Sequence, residues 1–158
     1  MAKKDAPPDR RWKKIRRKYQ QPGIDLEYEQ VQQGTWVSLT TSDPHGATDP
    51  FHAAFDALKP CFTPILGKVL TPNVHVLGVS IKRTDEGVLS VCVMGAVPIK
   101  GWDSPVNITL PRHVPEATVL AQIEILMVEA GKYLDGEKAQ LTLPFEGKDE
   151  PSGDDGKE

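Results

Sequence analysis

An α+β fold, with a single mixed or antiparallel sheet and helices packed on one face, is what the hydrophobic patterning of this chain predicts. Three observations carry that prediction. Ile24, Leu26 and Tyr28 alternate with Asp25, Glu27 and Glu29, the period of two of a half-exposed strand. Two strong strand segments, Asn73 to Arg83 and Val88 to Val97, flank the turn Asp85-Glu86-Gly87, and the second, largely apolar, reads as central in the sheet. Val119, Ile123, Leu126, Ala130 and Tyr133 then recur at spacings of three and four, with Leu120, Met127 and Leu134 widening the stripe of a long helix.

Taken in order, Met1 to about Asp9 contains Ala6-Pro7-Pro8 and no apolar period, the composition expected of a disordered segment. Arg10 to Gln20 places Trp12, Ile15 and Tyr19 at three and four, which predicts a short helix ended by Pro22-Gly23 and dependent on a partner surface. Thr35 to Thr41 is the hairpin partner of the strand at Ile24, joined through a turn at Gln33-Gly34. A polar loop runs from Ser42 to Ala47. Asp49 as N-cap and Pro50 at the first helical position open a helix whose apolar face is Phe51, Ala54, Phe55 and Leu58. Pro60 ends or kinks it, and Pro64 and Gly67 limit its continuation. After these two strong strands, Gly101 to Pro105 is a loop, Val106 to Leu110 a shorter strand, and Asp135-Gly136 caps the last helix. The predicted order is β-β-α-β-β-β-α. Its three parts are a basic arm (1–22), an α+β domain (23–138), and a peptide motif with an acidic, disordered tail (139–158).

With 158 residues the chain holds one domain with a real core. No apolar run approaches the roughly 20 residues that cross a bilayer, and the basic N-terminus lacks the apolar core of a secretory signal. The expectation is a cytoplasmic protein in a bacterial host, without a membrane partner. Cys61 and Cys92, the only cysteines, do not form a C-x-x-C pair and read as buried free thiols. The net charge of −3 hides an asymmetry, because residues 1–19 hold nine basic side chains against two acids, a net of +7. Glu146 to Glu158 holds six acids against two lysines, a net of −4.

Two segments carry functional expectations. Arg10, Arg11, Trp12, Lys13, Lys14, Arg16, Arg17, Lys18 and Tyr19 interleave cations with aromatics, a combination suited to phosphates and to stacking on unpaired bases. An inert solubilising arm, or an arm docked on the acidic tail until a polyanion displaces it, are the other readings of the same run. Gln140-Leu141-Thr142-Leu143-Pro144-Phe145 is a short amphipathic peptide in which Pro144 favours an extended form. Leu141, Leu143 and Phe145 also fit a final edge strand of the sheet, since the period of two serves both readings. No catalytic constellation is visible. His45, His52, His75 and His113 lack ligand spacing with the cysteines, and no Gly-rich phosphate loop is present. The expectation is a binding protein, not an enzyme, with no metal and no cofactor.

The Gln140 to Phe145 peptide resembles the motif that binds the bacterial replicative sliding clamp. That resemblance implies a hydrogen bond from Gln140 at the rim of a cleft and burial of Leu143 and Phe145 in its apolar pocket, with Leu141 also among the partner-binding residues. Burying Leu143 and Phe145 contributes about 1.5–3 kcal/mol each before ordering costs. Their sum is near or below the roughly 8 kcal/mol of a micromolar complex, so the contact serves as a tether. Four further stretches resemble small uncharacterised phage and prophage proteins. These are Ala57-Leu58-Lys59-Pro60, Val76-Leu77-Gly78-Val79-Ser80, the segment from Ser104-Pro105 to Leu110-Pro111, and the run from Tyr133 to Gln140. Together these resemblances imply a phage or prophage accessory protein of DNA replication or recombination. Its partners would be DNA, in particular single-stranded DNA, and a sliding clamp or other replication or recombination protein, with homo-oligomers left open. The alternative is a protein-only inhibitor or adaptor that captures a host enzyme without binding nucleic acid.

Overall fold

The computed structural model describes residues 10–136, which form a six-stranded antiparallel sheet with helices on one face. The strands are β1 (Arg10–Arg17), β2 (Ile24–Gln32), β3 (Thr35–Asp43), β4 (His75–Arg83), β5 (Leu89–Val97) and β6 (Val106–Thr109). The helices are α1 (Asp49–Asp56), α2 (Thr63–Leu70) and α3 (Ala117–Leu134), with short 3-10 turns at Lys59–Phe62 and Thr71–Asn73. Across the sheet the order is β3-β2-β1-β4-β5-β6. Two three-stranded meanders therefore meet where β1 pairs with β4.

The expected helix over Arg10 to Gln20 is instead β1, an interior strand hydrogen-bonded to β2 on one side and β4 on the other. The cause is a β-bulge. The register with β2 slips between Trp12 and Lys14, so Lys13 is an extra residue and both Trp12 and Ile15 point into the core. A bulge turns a spacing of two into three, which is the spacing that suggests a helix. The boundary expected at residue 22 is corrected with it, because the folded body begins no later than Arg10 and holds the centre of its sheet there.

The other elements follow their sequence signals closely. Ile24, Leu26 and Tyr28 bury one face of β2 while Asp25, Glu27 and Glu29 line the other. The cap of α1 sits one residue earlier than expected. Thr48 Oγ1 accepts from Phe51 N at 3.4 Å, and Asp49 lies in the first turn with Pro50. After α1 the prolines break the chain into short turns, and Gly67 (φ 77°, ψ 167°) leaves the helical region inside α2. In α3 the inward residues are Ile123, Leu126, Ala130 and Tyr133, as the stripe predicts.

The core lies between the sheet and the pair α1 and α3. Phe51 and Phe55 stack at 5.1 Å, and Tyr133 meets Phe51 edge-on at 5.7 Å. The Tyr133 hydroxyl donates to His45 O at 2.6 Å, tying the end of α3 to the loop after β3. Burial and the Asp43 carboxylate hold that hydroxyl well above its ordinary pKa, so it stays a donor. Gly78 lies beside β1 as the register partner of Arg16, where an added Cβ would stand 2.0 Å from Ile15 O and 2.7 Å from Arg16 Cα. The two meanders are joined through this contact.

One charged side chain is drawn into the core side. Arg17 is 3% exposed and spends its guanidinium on three partners. Its Nε donates to Val76 O at 2.8 Å, Nη1 meets His52 Nδ1 at 2.8 Å, and Nη2 donates to Asp56 Oδ1 at 2.6 Å. The group also lies 4.7 Å over the Phe55 ring. It thus ties β1 to α1 and β4. Burial, and next the Arg17 charge, hold both His52 and His75 below the ordinary histidine value of 6.5. A histidine depressed by folding stays neutral to lower pH in the folded protein than in the unfolded chain. Its stabilising contribution is present above 6.5 and is lost as pH falls below 6.5 toward the folded value. Thermal unfolding at about pH 5.5 is therefore expected at a lower temperature than at about pH 7.5, with the gap narrowed by His52→Gln, which keeps an acceptor for Arg17 without titrating.

Candidate nucleic-acid interface

The face of the sheet away from the helices carries no covering element among the described residues. Strand alternation decides what it displays. On β1 the bulge and the residues after it turn Lys13, Lys14 and Arg16 outward, and Arg11 stands opposite Glu29. Reading across one row, Thr40, Glu27, Lys14, Ser80 and Cys92 are register partners on β3, β2, β1, β4 and β5. A second row runs through Ser42, Asp25, Arg16, Gly78, Met94 and Thr109.

Charge is divided unevenly on this surface. Residues 10–136 hold fourteen Lys or Arg and thirteen Asp or Glu, close to balance. Arg11, Lys13, Lys14, Arg16, Lys82 and Arg112 belong to the open face, and Arg83, which alternation turns to the other side of β4, reaches its rim at the hairpin-end recess, against Asp25, Glu27, Glu29 and Asp85. Seven cations against four acids leave it at +3, and the acids lie on β2 and in the β4–β5 hairpin. The pairs Lys13–Glu29 and Lys14–Glu27 stand at 3.9 Å with half-exposed partners, so they are weak and readily exchanged.

Two adjoining recesses shape the surface. One, of about 730 Å³, is lined by Arg11, Lys13, Glu29, Lys82 and Arg83 at the β4–β5 hairpin end. The other, of about 430 Å³, is lined by Lys14, Glu27, Lys82, Cys92, Met94 and Arg112. Arg112 is fixed in place. Its Nη2 donates to Ser80 Oγ at 3.0 Å and its Nη1 to Ser90 O at 3.1 Å, while a bridge between His113 and Val91 holds the preceding loop against β5. Beyond the first recess, Arg11 stacks on Trp36 with its Cζ 3.7 Å from the ring centroid. Trp36 is 39% exposed and offers an aromatic plane at the edge of the cationic strip.

The nine residues expected to act as one basic arm are therefore divided among three places. Arg11, Lys13, Lys14 and Arg16 reach the open face. Arg10, Trp12 and Arg17 turn to the helical side, where Arg10 lies about 5.5 Å from the Trp12 and Tyr28 rings. Lys18 and Tyr19 enter the turn to β2, and Tyr19 packs edge-on against His75 at 5.3 Å. As a contiguous binding segment the arm is corrected, because a strand alternates its side chains between two faces. Trp36, Lys82, Arg83 and Arg112, absent from the expected set, join the surface instead. The outward position of Lys82 was readable from its place between Ile81 and the hairpin. Its adjacency to β1 was not, because the β1–β4 pairing spans more than sixty residues of chain.

Gln140, Leu141, Leu143 and Phe145, with the acidic tail, lie outside the described residues. Cys61 and Cys92 are free thiols and half-buried, not fully buried as expected, and burial with the nearby Glu116 raises the Cys61 pKa. Among the described residues no three His, Cys, Asp or Glu side chains are grouped to hold a metal ion, and no helix is long and apolar enough to cross a membrane. Comparison with protein families, curated proteins and solved structures gives no match for this chain.

Proposed function

We propose that this protein is a non-catalytic binding module that holds single-stranded DNA on its open sheet face, as an accessory factor of phage or prophage replication or recombination. The observation carrying this reading is the segregation of seven cations onto an uncovered sheet, beside an aromatic plane already stacked by arginine. Cations tracking a backbone and aromatics receiving bases are the two components of single-strand recognition. The strip along β1 and β4 supplies phosphate contacts from Lys14, Lys82 and Arg112, and Trp36 with Arg11 receives a base. The Gln140 to Phe145 peptide tethers the module to a sliding clamp, a reading that rests on its sequence.

Titration of fluorescent oligothymidylate across a salt series tests the DNA contact. For single strands, log K falls with log salt by about 0.7 per neutralised phosphate, so changing Lys14, Lys82 and Arg112 to Gln reduces the slope by about 2. Trp36→Ala costs about 1–3 kcal/mol of binding without changing that slope. An oligouridylate of equal length, run alongside, separates DNA from RNA preference. The absence of salt-dependent binding at low ionic strength overturns the proposal.

Exposed apolar residues favour the second reading, a protein-only adaptor or inhibitor. Ile65, Val69 and Leu70 stand out on α2, where Val69 is 85% exposed, and Ile125 and Val128 do so on the outer face of α3. Such side chains are suited to a protein partner. Under that reading Val69→Ser and Ile125→Ser abolish partner capture while the lysine changes do nothing.

A further inference from the structure

We infer that the acidic tail of this chain, Glu146 to Glu158, docks on the open sheet face and competes there with nucleic acid. This rests on the reading of that face as the nucleic-acid site and names its regulation. The first support is charge complementarity. The tail carries Glu146, Asp149, Glu150, Asp154, Asp155 and Glu158 against Lys148 and Lys157, a net of −4, and the face carries +3. The body as a whole is nearly neutral, so its cationic strip is the surface that attracts the tail.

The second support is where the described chain ends. The last turns of α3 lie beneath the β1–β2–β3 half of the sheet, because a Cβ on Gly131 would be 3.5 Å from Arg10 Nη1 and Tyr133 bonds to the loop after β3. Gly136 therefore lies on the helical side of the half of the sheet that ends in β3. Nine residues lie between Gly136 and Glu146, and the ten Cα steps they bridge reach about 33 Å when extended. Strands lie about 4.8 Å apart, so β1 is about 10 Å in from the β3 edge, and the remainder of that reach serves the passage from the helical face around the edge. The thirteen residues of the tail then extend far enough to follow the strip along β1 and β4.

The third support is the condition of the cations. Lys13 and Lys14 face β2 carboxylates at 3.9 Å, long enough to exchange partners. Among the described residues no ion pair joins Arg16, Lys82, Arg83 or Arg112 to an acid. A segment held by a short connection acts at an effective concentration in the millimolar range, so even a millimolar contact occupies the face about half the time. Nucleic acid must then displace it, and apparent affinity falls with the fraction of face left open.

The test uses the full chain beside a full-length variant with all six tail acids changed to Asn or Gln. Two-dimensional amide NMR without nucleic acid reads the contact itself. The inference expects shifts at Lys14, Arg16, Ser80, Lys82 and Arg112 and none at Ile125 or Val128 on α3. Oligothymidylate is expected to bind the variant about twofold or more tightly at low salt, with the two proteins converging near 1 M salt, where the screening length is about 3 Å. Tighter binding without amide shifts is general repulsion and overturns the docking. Unchanged amides and unchanged affinity overturn it as well and leave the nucleic-acid reading intact. Face-specific amide shifts in a protein that binds no oligonucleotide uphold the tail contact, overturn its role as a competitor, and sink the nucleic-acid reading.

Discussion

Gly78→Ala is expected to cost about 3 kcal/mol or more, read as a lowered midpoint in urea unfolding or as failure to fold. An alanine Cβ at this position would stand 2.0 Å from Ile15 O, and Cβ atoms essentially never come closer than 3.0 Å to a neighbouring atom. The obstacle is the backbone of β1 at Ile15 and Arg16, so no side-chain rotation relieves it. Either β1 moves off β4 or the β1–β4 hydrogen bonds at Lys14, Ile15 and Arg16 are lost. Those bonds are the joint between the two meanders, and the cost therefore spreads through the centre of the sheet. Thr40→Ala, on the exposed edge strand, is the control and is expected to change stability by less than about 0.5 kcal/mol.

Arg17→Met should cost about 2–4 kcal/mol by the same measurement. Methionine fills the apolar part of the space above Phe55 but leaves Val76 O and His52 Nδ1 without their donor. Asp56 is 52% exposed on its side chain, so water takes over its charge and it adds little to the loss. Arg17→Lys is expected to recover less than half of the cost, since one ammonium cannot reach three acceptors held in a planar fork. A Lys variant as stable as the native protein would show that charge, not the fork, is what the site requires.

Much of the fold is written in the local pattern. The alternation from Ile24 to Glu29, the paired apolar segments around Asp85-Glu86-Gly87, and the stripe from Val119 to Tyr133 each fix their own element, because period alone decides which side chains are buried. The chain fails to announce itself where one inserted residue changes the period. Trp12 and Ile15 sit three apart through the bulge at Lys13, and Tyr19 extends the coincidence, so an interior strand reads as a helix face. The high positive charge of that run also argues against the centre of a sheet. It is tolerated there because Arg17 finds Asp56 and His52 on a helix that arrives later in the sequence, and because the other cations face outward. Pairings over such distances are invisible to a local reading.

The candidate site was legible in type and only partly in membership. Cations interleaved with aromatics were visible at Arg10 to Tyr19, and four of those side chains do reach one surface. The rest of that surface comes from Trp36, Lys82, Arg83 and Arg112, which only strand register brings beside them. A cation counted along the chain is a poor guide to a strand protein, since every second one faces away.

Lysine protection tests the central claim most directly. The protein is acetylated briefly with and without saturating oligothymidylate, and each lysine is quantified by mass spectrometry. Lys13, Lys14 and Lys82 are expected to lose most of their reactivity when the strand is bound, while Lys59, Lys68 and Lys132 on the helical side keep theirs. Protection of the helical-side lysines, or equal reactivity everywhere, would contradict the assignment of the open sheet face.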